Sequence, residues 1–100
     1  MKKKNHTWNH RILAHWQASN FLEDGGYWYF GIHEVHYDND KPGSYTADAI
    51  SIISEEGLDG IKWTLDKMLI CLNKPILNAE DWPNEFDYEN WLKKEKKKDE

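Results

Sequence analysis

Residues 27 to 37 read YWYFGIHEVHY, a run dominated by aromatic and β-branched side chains. Such side chains favour a pleated, packed surface, so this run predicts a central β-strand. Because side chains alternate along a strand, Trp28, Phe30 and Ile32 share one face with Glu34 and His36. Both faces are apolar at the start of the run and polar near His36. We therefore expect a strand that is covered at one end and open to solvent at the other.

Two neighbouring segments are predicted to complete an antiparallel sheet. Residues 8 to 17 alternate as a strand does, although Ile12 and Trp16 also lie at helical spacing and leave a helix as the competing interpretation. A glycine-containing turn at 19–26 joins this segment to the central strand as a hairpin. A second turn at 38–43 leads into a third predicted strand at 44–54.

A long helix is predicted to begin at Ser54, which is a favourable N-cap, and to end before Pro75. Its apolar residues recur at helical spacing and should face the sheet. They are Leu58, Ile61, Leu65, Met68, Leu69 and Leu72. Trp63 and Ile70 lie on the flank of this stripe, either as a widening of the core or as a second contact surface. The sequence thus predicts an α+β fold, with a three-stranded antiparallel sheet packed by one long helix.

The two ends of the chain differ in composition from this domain of residues 8–77. Residues 1–7 are predicted to be a flexible basic arm. Residues 78–92 form an acidic aromatic segment, either a short helix or an extended stretch laid across the domain. Residues 93–100 are almost entirely charged and are expected to be disordered.

Overall composition limits the possible partners. The chain has 100 residues and a formal net charge of −5, which argues against direct nucleic-acid binding because phosphate binding needs a basic surface. The single Cys71 excludes an internal disulfide and suits a reducing cytoplasm. No apolar run follows the N-terminal lysines, so neither an export signal nor a membrane span is expected. We predict a cytoplasmic protein.

The sequence offers few groups for catalysis. His33 and His36 are three residues apart on a predicted strand, so they point to opposite faces. Glu34 and His36 share a face, and His10 can lie opposite them, which leaves a metal-dependent hydrolase as the alternative hypothesis. Cys71 lies near a helix C-terminus, where a thiolate is disfavoured. We predict a non-enzymatic protein with no cofactor and no metal.

Several segments resemble a family of small uncharacterised bacterial and phage proteins. The segments are WNHR at 8–11, YFGIHEVHYD at 29–38, KPGSYT at 41–46, KWTL at 62–65 and NKPIL at 73–77. The family pattern is W-N-x-R, Y-G-I-H-E-V-Y-Y-D, G-K-P and D-K-P-V-L, and this chain departs from it at His36 and Asn73. The resemblance implies domain boundaries near residues 8 and 77 and a bacterial or phage cytoplasm. It implies no activity.

The number of aromatic side chains points to protein contact. Six Trp exceed what one small core needs, and Trp and Tyr are enriched in interface hot spots. We predict that the chain binds another protein, or itself as a homodimer. A sharper hypothesis is an inhibitor, carried by a phage or plasmid, whose acidic surface imitates nucleic acid and binds a host nucleic-acid enzyme. The predicted partner-binding residues are Trp28, Tyr29, Trp63, Trp82, Phe86, Tyr88, Trp91, Glu80, Asp81, Glu85 and Asp87.

Overall fold

The computed structural model describes residues 6–50 and 57–98, with the side chain of Lys98 excepted. The described residues form a mixed α+β fold with one four-stranded sheet in the order β3-β2-β1-β4. The strands are β1 His6–Ala18, β2 Gly26–Asp38, β3 Lys41–Tyr45 and β4 Leu77–Asn78. The helices are α1 Gly57–Leu69 and α2 Tyr88–Lys98, and two short 3-10 helices span Ile70–Asn73 and Ala79–Asp81.

A long antiparallel hairpin of β1 and β2 confirms the two predicted strands and the turn between them. The strands stay in register from the pair His6 and Asp38 to the pair Ala18 and Gly26. Strand β1 begins at His6, so the last two residues of the predicted arm are part of the sheet, whereas residues 1–5 lie outside the described residues.

The third strand is shorter and earlier than predicted. Strand β3 pairs antiparallel to β2 and ends at Tyr45, whereas we expected a strand at 44–54. Its turn is tight because Asn39 and Asp40 adopt left-handed backbone angles, with φ of 52° and 67°, which suits a two-residue hairpin turn. Beyond Tyr45, the Thr46 and Ile50 amides still donate to β2 carbonyls. Residues 51–54 of the predicted strand lie outside the described residues.

The fourth strand was not predicted. Leu77 and Asn78 pair parallel to β1 at Leu13 and Ala14. Leu13, Leu77 and Val35 are almost fully buried and form the core on one face of the sheet. A strand of two residues carries no alternation pattern, so its sequence gives no periodic signal.

Helix α1 confirms the predicted helix in part, because the α-helix ends at Leu69 and a 3-10 helix follows to Asn73. The predicted N-cap Ser54 lies outside the described residues, and the orientation of α1 differs from the prediction. Its buried residues are Gly60 and Met68, and Cys71 follows in the 3-10 helix. Four of the six apolar residues expected to face the sheet are exposed instead, namely Leu58, Leu65, Leu69 and Leu72. Gly60, Met68 and Cys71 lie on one side of the helix at helical spacing, so this side turns inward and the leucine side does not. This part of the prediction was wrong.

The C-terminal segment is more ordered than predicted. Helix α2 extends through Lys98, although we expected disorder from residue 93. The Asp87 carboxylate accepts a hydrogen bond from the Asn90 amide at 3.1 Å and so caps the helix. Glu89 lies in the first turn and lysines fill the last turns, which is the favourable arrangement for the helix dipole. Trp91 then packs this helix against the sheet. Among the described residues, no helix has the length and apolar character needed to cross a membrane.

Candidate interaction surface

The aromatic residues predicted to bind a partner divide into two groups. Four of them pack against other rings of the same chain, namely Trp28, Trp82, Phe86 and Trp91. On the sheet face opposite the Leu13 core, Trp28 lies 4.8 Å from Phe86 and Phe30 lies 5.0 Å from Trp91, measured between ring centroids. The C-terminal segment therefore covers this face of the sheet. Trp82 packs on the other face, 4.6 Å from the Tyr45 ring, and its Nε1 donates to the Gly43 carbonyl.

The remaining predicted aromatic contacts, Tyr29, Trp63 and Tyr88, are exposed. Trp63 lines a groove of about 420 Å³ between α1 and the start of β1, together with Trp8 and Ile70. The Lys67 ammonium lies 5.4 Å from the centre of the Trp63 ring, within the range of a cation–π contact. The flank position of Trp63 and Ile70 thus gives them solvent exposure rather than a place in the core.

The largest unexpected feature is a row of exposed leucines along α1 and its 3-10 extension. We call it the leucine face. Its residues are Leu58, Leu65, Leu69 and Leu72, which are 84%, 44%, 59% and 64% exposed. Their spacing of seven, four and three residues puts them on one side of a helix. The periodicity in the sequence identified all four residues, but it assigned them to the core.

The leucine face continues beyond the helix into a second groove of about 530 Å³. Leu72 forms one wall of this groove, and Ile12 and Phe30 contribute apolar surface from the sheet. Tyr88, at the start of α2, lines the same groove. One apolar surface therefore extends from α1 to α2, and Tyr88 is the predicted contact residue that belongs to it.

The predicted acidic contacts are exposed and lie close together in sequence on the C-terminal segment. Glu80 accepts a hydrogen bond from the Trp16 amide through its Oε2, at 3.3 Å. Among residues 6–50 and 57–97, none of Glu80, Asp81, Glu85 and Asp87 forms an ion pair. Residues 78–92 contain no basic residue, so these carboxylates give that segment a net negative charge.

The candidate metal ligands share one face of the sheet without forming a site. His10 lies directly opposite Glu34, and Trp8 lies opposite His36, so His10, Glu34 and His36 follow one another on the same face. His36 stacks on the His6 ring and His10 meets Trp8 edge-on. Within the described ranges, no three His, Cys, Asp or Glu side chains are grouped closely enough to hold a metal ion.

A histidine pair on the opposite sheet face was not predicted. The Nε2 atoms of His15 and His33 are 2.8 Å apart, and His33 Nδ1 lies 2.8 Å from the Thr46 carbonyl oxygen. That oxygen can only accept, so His33 Nδ1 carries a proton. In the neutral pair, His33 Nε2 therefore accepts from His15 Nε2. Burial lowers the pKa of His15, the nearby His33 lowers it further, and Glu80 opposes the shift.

Comparison with known proteins does not assign this chain to a family. No protein-family model, no curated protein and no solved structure matches this chain. The resemblance to small bacterial and phage proteins stays a prediction. The function is therefore inferred from the surfaces described above.

Proposed function

We propose that this chain is a small, non-enzymatic protein-interaction module and that the leucine face is its main contact surface. The supporting observation is the exposure of Leu58, Leu65, Leu69 and Leu72 on one side of one helix. Soluble proteins rarely expose a large contiguous apolar patch, and such patches mark interaction sites. Scattered single leucines would carry no such meaning, but these four are aligned.

The energetics of burial support the same proposal. Burying a leucine side chain that was fully exposed contributes about 1.5 to 3 kcal/mol. Leu58 has the most surface left to bury and Leu65 the least. Micromolar binding requires about 8 kcal/mol in total. The leucine face, extended by the groove at Leu72, has enough apolar surface to supply a large part of that free energy.

An affinity experiment with matched variants tests this function. Leu65→Lys/Leu69→Lys places two charges on the leucine face, whereas Lys93→Ala changes an exposed residue on α2 and serves as the control. We expect the wild-type chain and the control to retain one protein partner in stoichiometric amount, and the double variant to lose it. The retained protein, once purified, should bind the wild type at least tenfold more tightly. Equal binding by all three chains would contradict the proposal.

A second candidate function uses the acidic segment as an imitation of nucleic acid that inhibits a host nucleic-acid enzyme. It is supported by the exposed carboxylates that lack ion-pair partners in the described ranges. Attraction between exposed charges is screened by salt, so binding to such an enzyme should weaken strongly between low and high ionic strength.

Neutralising the acidic segment tests this second function. The changes are Glu80→Gln, Asp81→Asn, Glu85→Gln, Asp87→Asn and Glu89→Gln. Asn is as good an N-cap as Asp, so Asp87→Asn keeps the helix cap while removing its charge. We expect the neutralised chain to bind more weakly and with less salt dependence. Unchanged binding and unchanged salt dependence would exclude the imitation of nucleic acid.

Metal-dependent hydrolysis is the alternative class of function. Its candidate residues include His10 and Glu34, which lie opposite each other in the register of β1 and β2. If the chain is an interaction module, adding zinc, nickel or manganese should leave its thermal midpoint unchanged. The purified chain should also contain none of these metals. A stabilising shift that His10→Gln abolishes would favour the hydrolase instead.

A further inference from the structure

We infer that the occupant of the leucine face is a second copy of this chain, bound through α1 in a symmetric homodimer. This inference rests on the proposed function and names the partner of the same surface.

The first support is the surface area of the single chain. It exposes 8031 Å², whereas a folded monomer of 11.9 kDa exposes about 6,000 Å². The excess is about 2,000 Å², and a stable dimer needs about 800 Å² from each partner. The excess is larger than the area that one partner of a standard dimer buries.

The second support is the open shape of the chain. Its radius of gyration is 16.4 Å, compared with about 13 Å for a compact domain of 100 residues. The principal extents of 51 × 40 × 24 Å describe a flattened, elongated body. Pairing across α1 would give this body the apolar cover that one chain lacks.

The third support is charge. The charged residues of α1 are Asp59, Lys62, Asp66 and Lys67, two acidic and two basic, which sum to zero. Lys62 and Asp66 form an ion pair at 2.7 Å. The net charge of −5 thus lies elsewhere on the chain. A second copy meets no net repulsion at α1, whereas a strongly basic partner would be drawn to the acidic segment instead.

The fourth support is the spacing of the leucines. Leu58, Leu65 and Leu72 are separated by seven residues each, so these three of the four leucines are symmetric about Leu65. The fourth, Leu69, has Ile61 as its counterpart on the other side of Leu65. In an antiparallel pair with a two-fold axis at Leu65, Leu58 lies opposite Leu72 of the partner subunit, and Leu65 lies opposite its own copy. Such a self-complementary patch is what a two-fold interface requires, and the seven-residue repeat suits the packing of paired helices.

Sedimentation equilibrium of the full chain tests the dimer. Leu65→Lys puts two like charges together at the axis. Phe21→Ser is the matched control, because Phe21 is 97% exposed but lies in the hairpin loop. We expect the wild type and Phe21→Ser to be dimers at micromolar concentration. Leu65→Lys should be a folded monomer, with a dissociation constant at least 100-fold higher. Leu65→Cys should give a disulfide-linked dimer on mild oxidation, and buried Cys71 should not react.

The alternative outcomes have different meanings. A wild type that stays monomeric at all concentrations, with a folded Leu65→Lys variant, overturns the dimer but leaves the proposed function to the affinity experiment. If Leu65→Lys unfolds the monomer, the chain itself covers this face, and both the dimer and the proposed function fail. If Phe21→Ser also dissociates the dimer, the interface lies outside the leucine face and the inference is wrong.

Discussion

At the scale of single residues, the His33 ring that contacts His15 lies close to Gly31. His15 lies opposite Tyr29 in the register and His33 lies opposite Arg11, so the two histidines meet diagonally across the hairpin. A Cβ atom on Gly31 would lie 3.3 Å from His33 Nε2. A side chain at Gly31 would thus crowd the His33 ring and shift it by a few tenths of an ångström.

This pair was not predictable from the sequence. Spacing along the chain indicated His33 with His36, and His10 with Glu34, as pairs to consider as metal ligands. The His15–His33 contact requires the register of two strands, which is not visible in local spacing. The register itself follows only once the length of the connecting turn is known.

The pH dependence of stability follows from the pKa of His15. The folded pKa lies below the usual value of 6.5, so below about pH 6.5 the unfolded chain binds more protons at this residue than the folded chain. The stabilising contribution is present above that pH and is lost as the pH falls. We expect the free energy of unfolding, measured with denaturant, to decrease from pH 7.5 to pH 5.5. His15→Phe should flatten this dependence, and an unchanged slope in that variant would contradict the assignment.

Gly26 is the residue at which a small substitution should have a large effect. A Cβ atom there would lie 2.3 Å from the Gln17 carbonyl oxygen and 2.7 Å from the Trp16 ring. We expect Gly26→Ala to destabilise the chain by more than about 1 kcal/mol, because it displaces backbone. Gly25→Ala is the control, since its Cβ would meet nothing within 4 Å and its positive φ alone costs about 1 kcal/mol. Thermal unfolding of both variants gives the comparison, and equal midpoints would contradict it.

At the scale of elements, long periodic segments were predictable and short ones were not. The alternation in 8–17 and 27–37 identified β1 and β2, and the helical spacing after Ser54 identified α1. Strand β4 has two residues, too few for a pattern, and it forms because Leu77 completes the core. The exposed side of α1 was missed because periodicity shows that a helix has an apolar side without showing what covers it.

The extent of helix α2 was also underestimated, because the lysine content of its second half favours disorder. Its stability depends on Trp91, whose ring lies 5.0 Å from Phe30 and 5.5 Å from Tyr88. We expect Trp91→Ala to cost about 2 kcal/mol, somewhat less than for a fully buried aromatic residue, and to reduce the helical circular dichroism signal. Lys93→Ala should change stability by less than about 0.5 kcal/mol. Similar losses in both variants would show that Trp91 does not anchor the helix.

At the scale of the whole molecule, the fold class was predictable, but the amount of apolar surface that the chain leaves exposed was not. Composition and periodicity gave a mixed α+β domain, in agreement with the four-stranded sheet and two helices. Neither quantity indicates how much apolar surface a single chain leaves uncovered. That surface depends on where α1 sits beside β1, which is a property of packing.

The proposed dimer predicts that stability depends on protein concentration. Association stabilises the folded state by mass action. We expect the thermal midpoint of the wild-type chain to rise by a few degrees for each tenfold increase in concentration. The midpoint of Leu65→Lys should stay constant over the same range. A constant midpoint for the wild type would show that unfolding does not involve dissociation.

The place of Leu77 in the core has a consequence for the order of synthesis. The β1–β2 hairpin, with Leu13 and Val35, leaves the ribosome before Leu77 does, because 42 residues separate Val35 from Leu77. At a synthesis rate of about 5 to 20 residues per second, roughly 2 to 8 seconds pass between the exit of the hairpin and the exit of strand β4. During that interval the future edge of β1 is unpaired near Leu13. A newborn chain is therefore most vulnerable to capture by other nascent chains, or by chaperones, between the exit of its hairpin and the exit of its fourth strand.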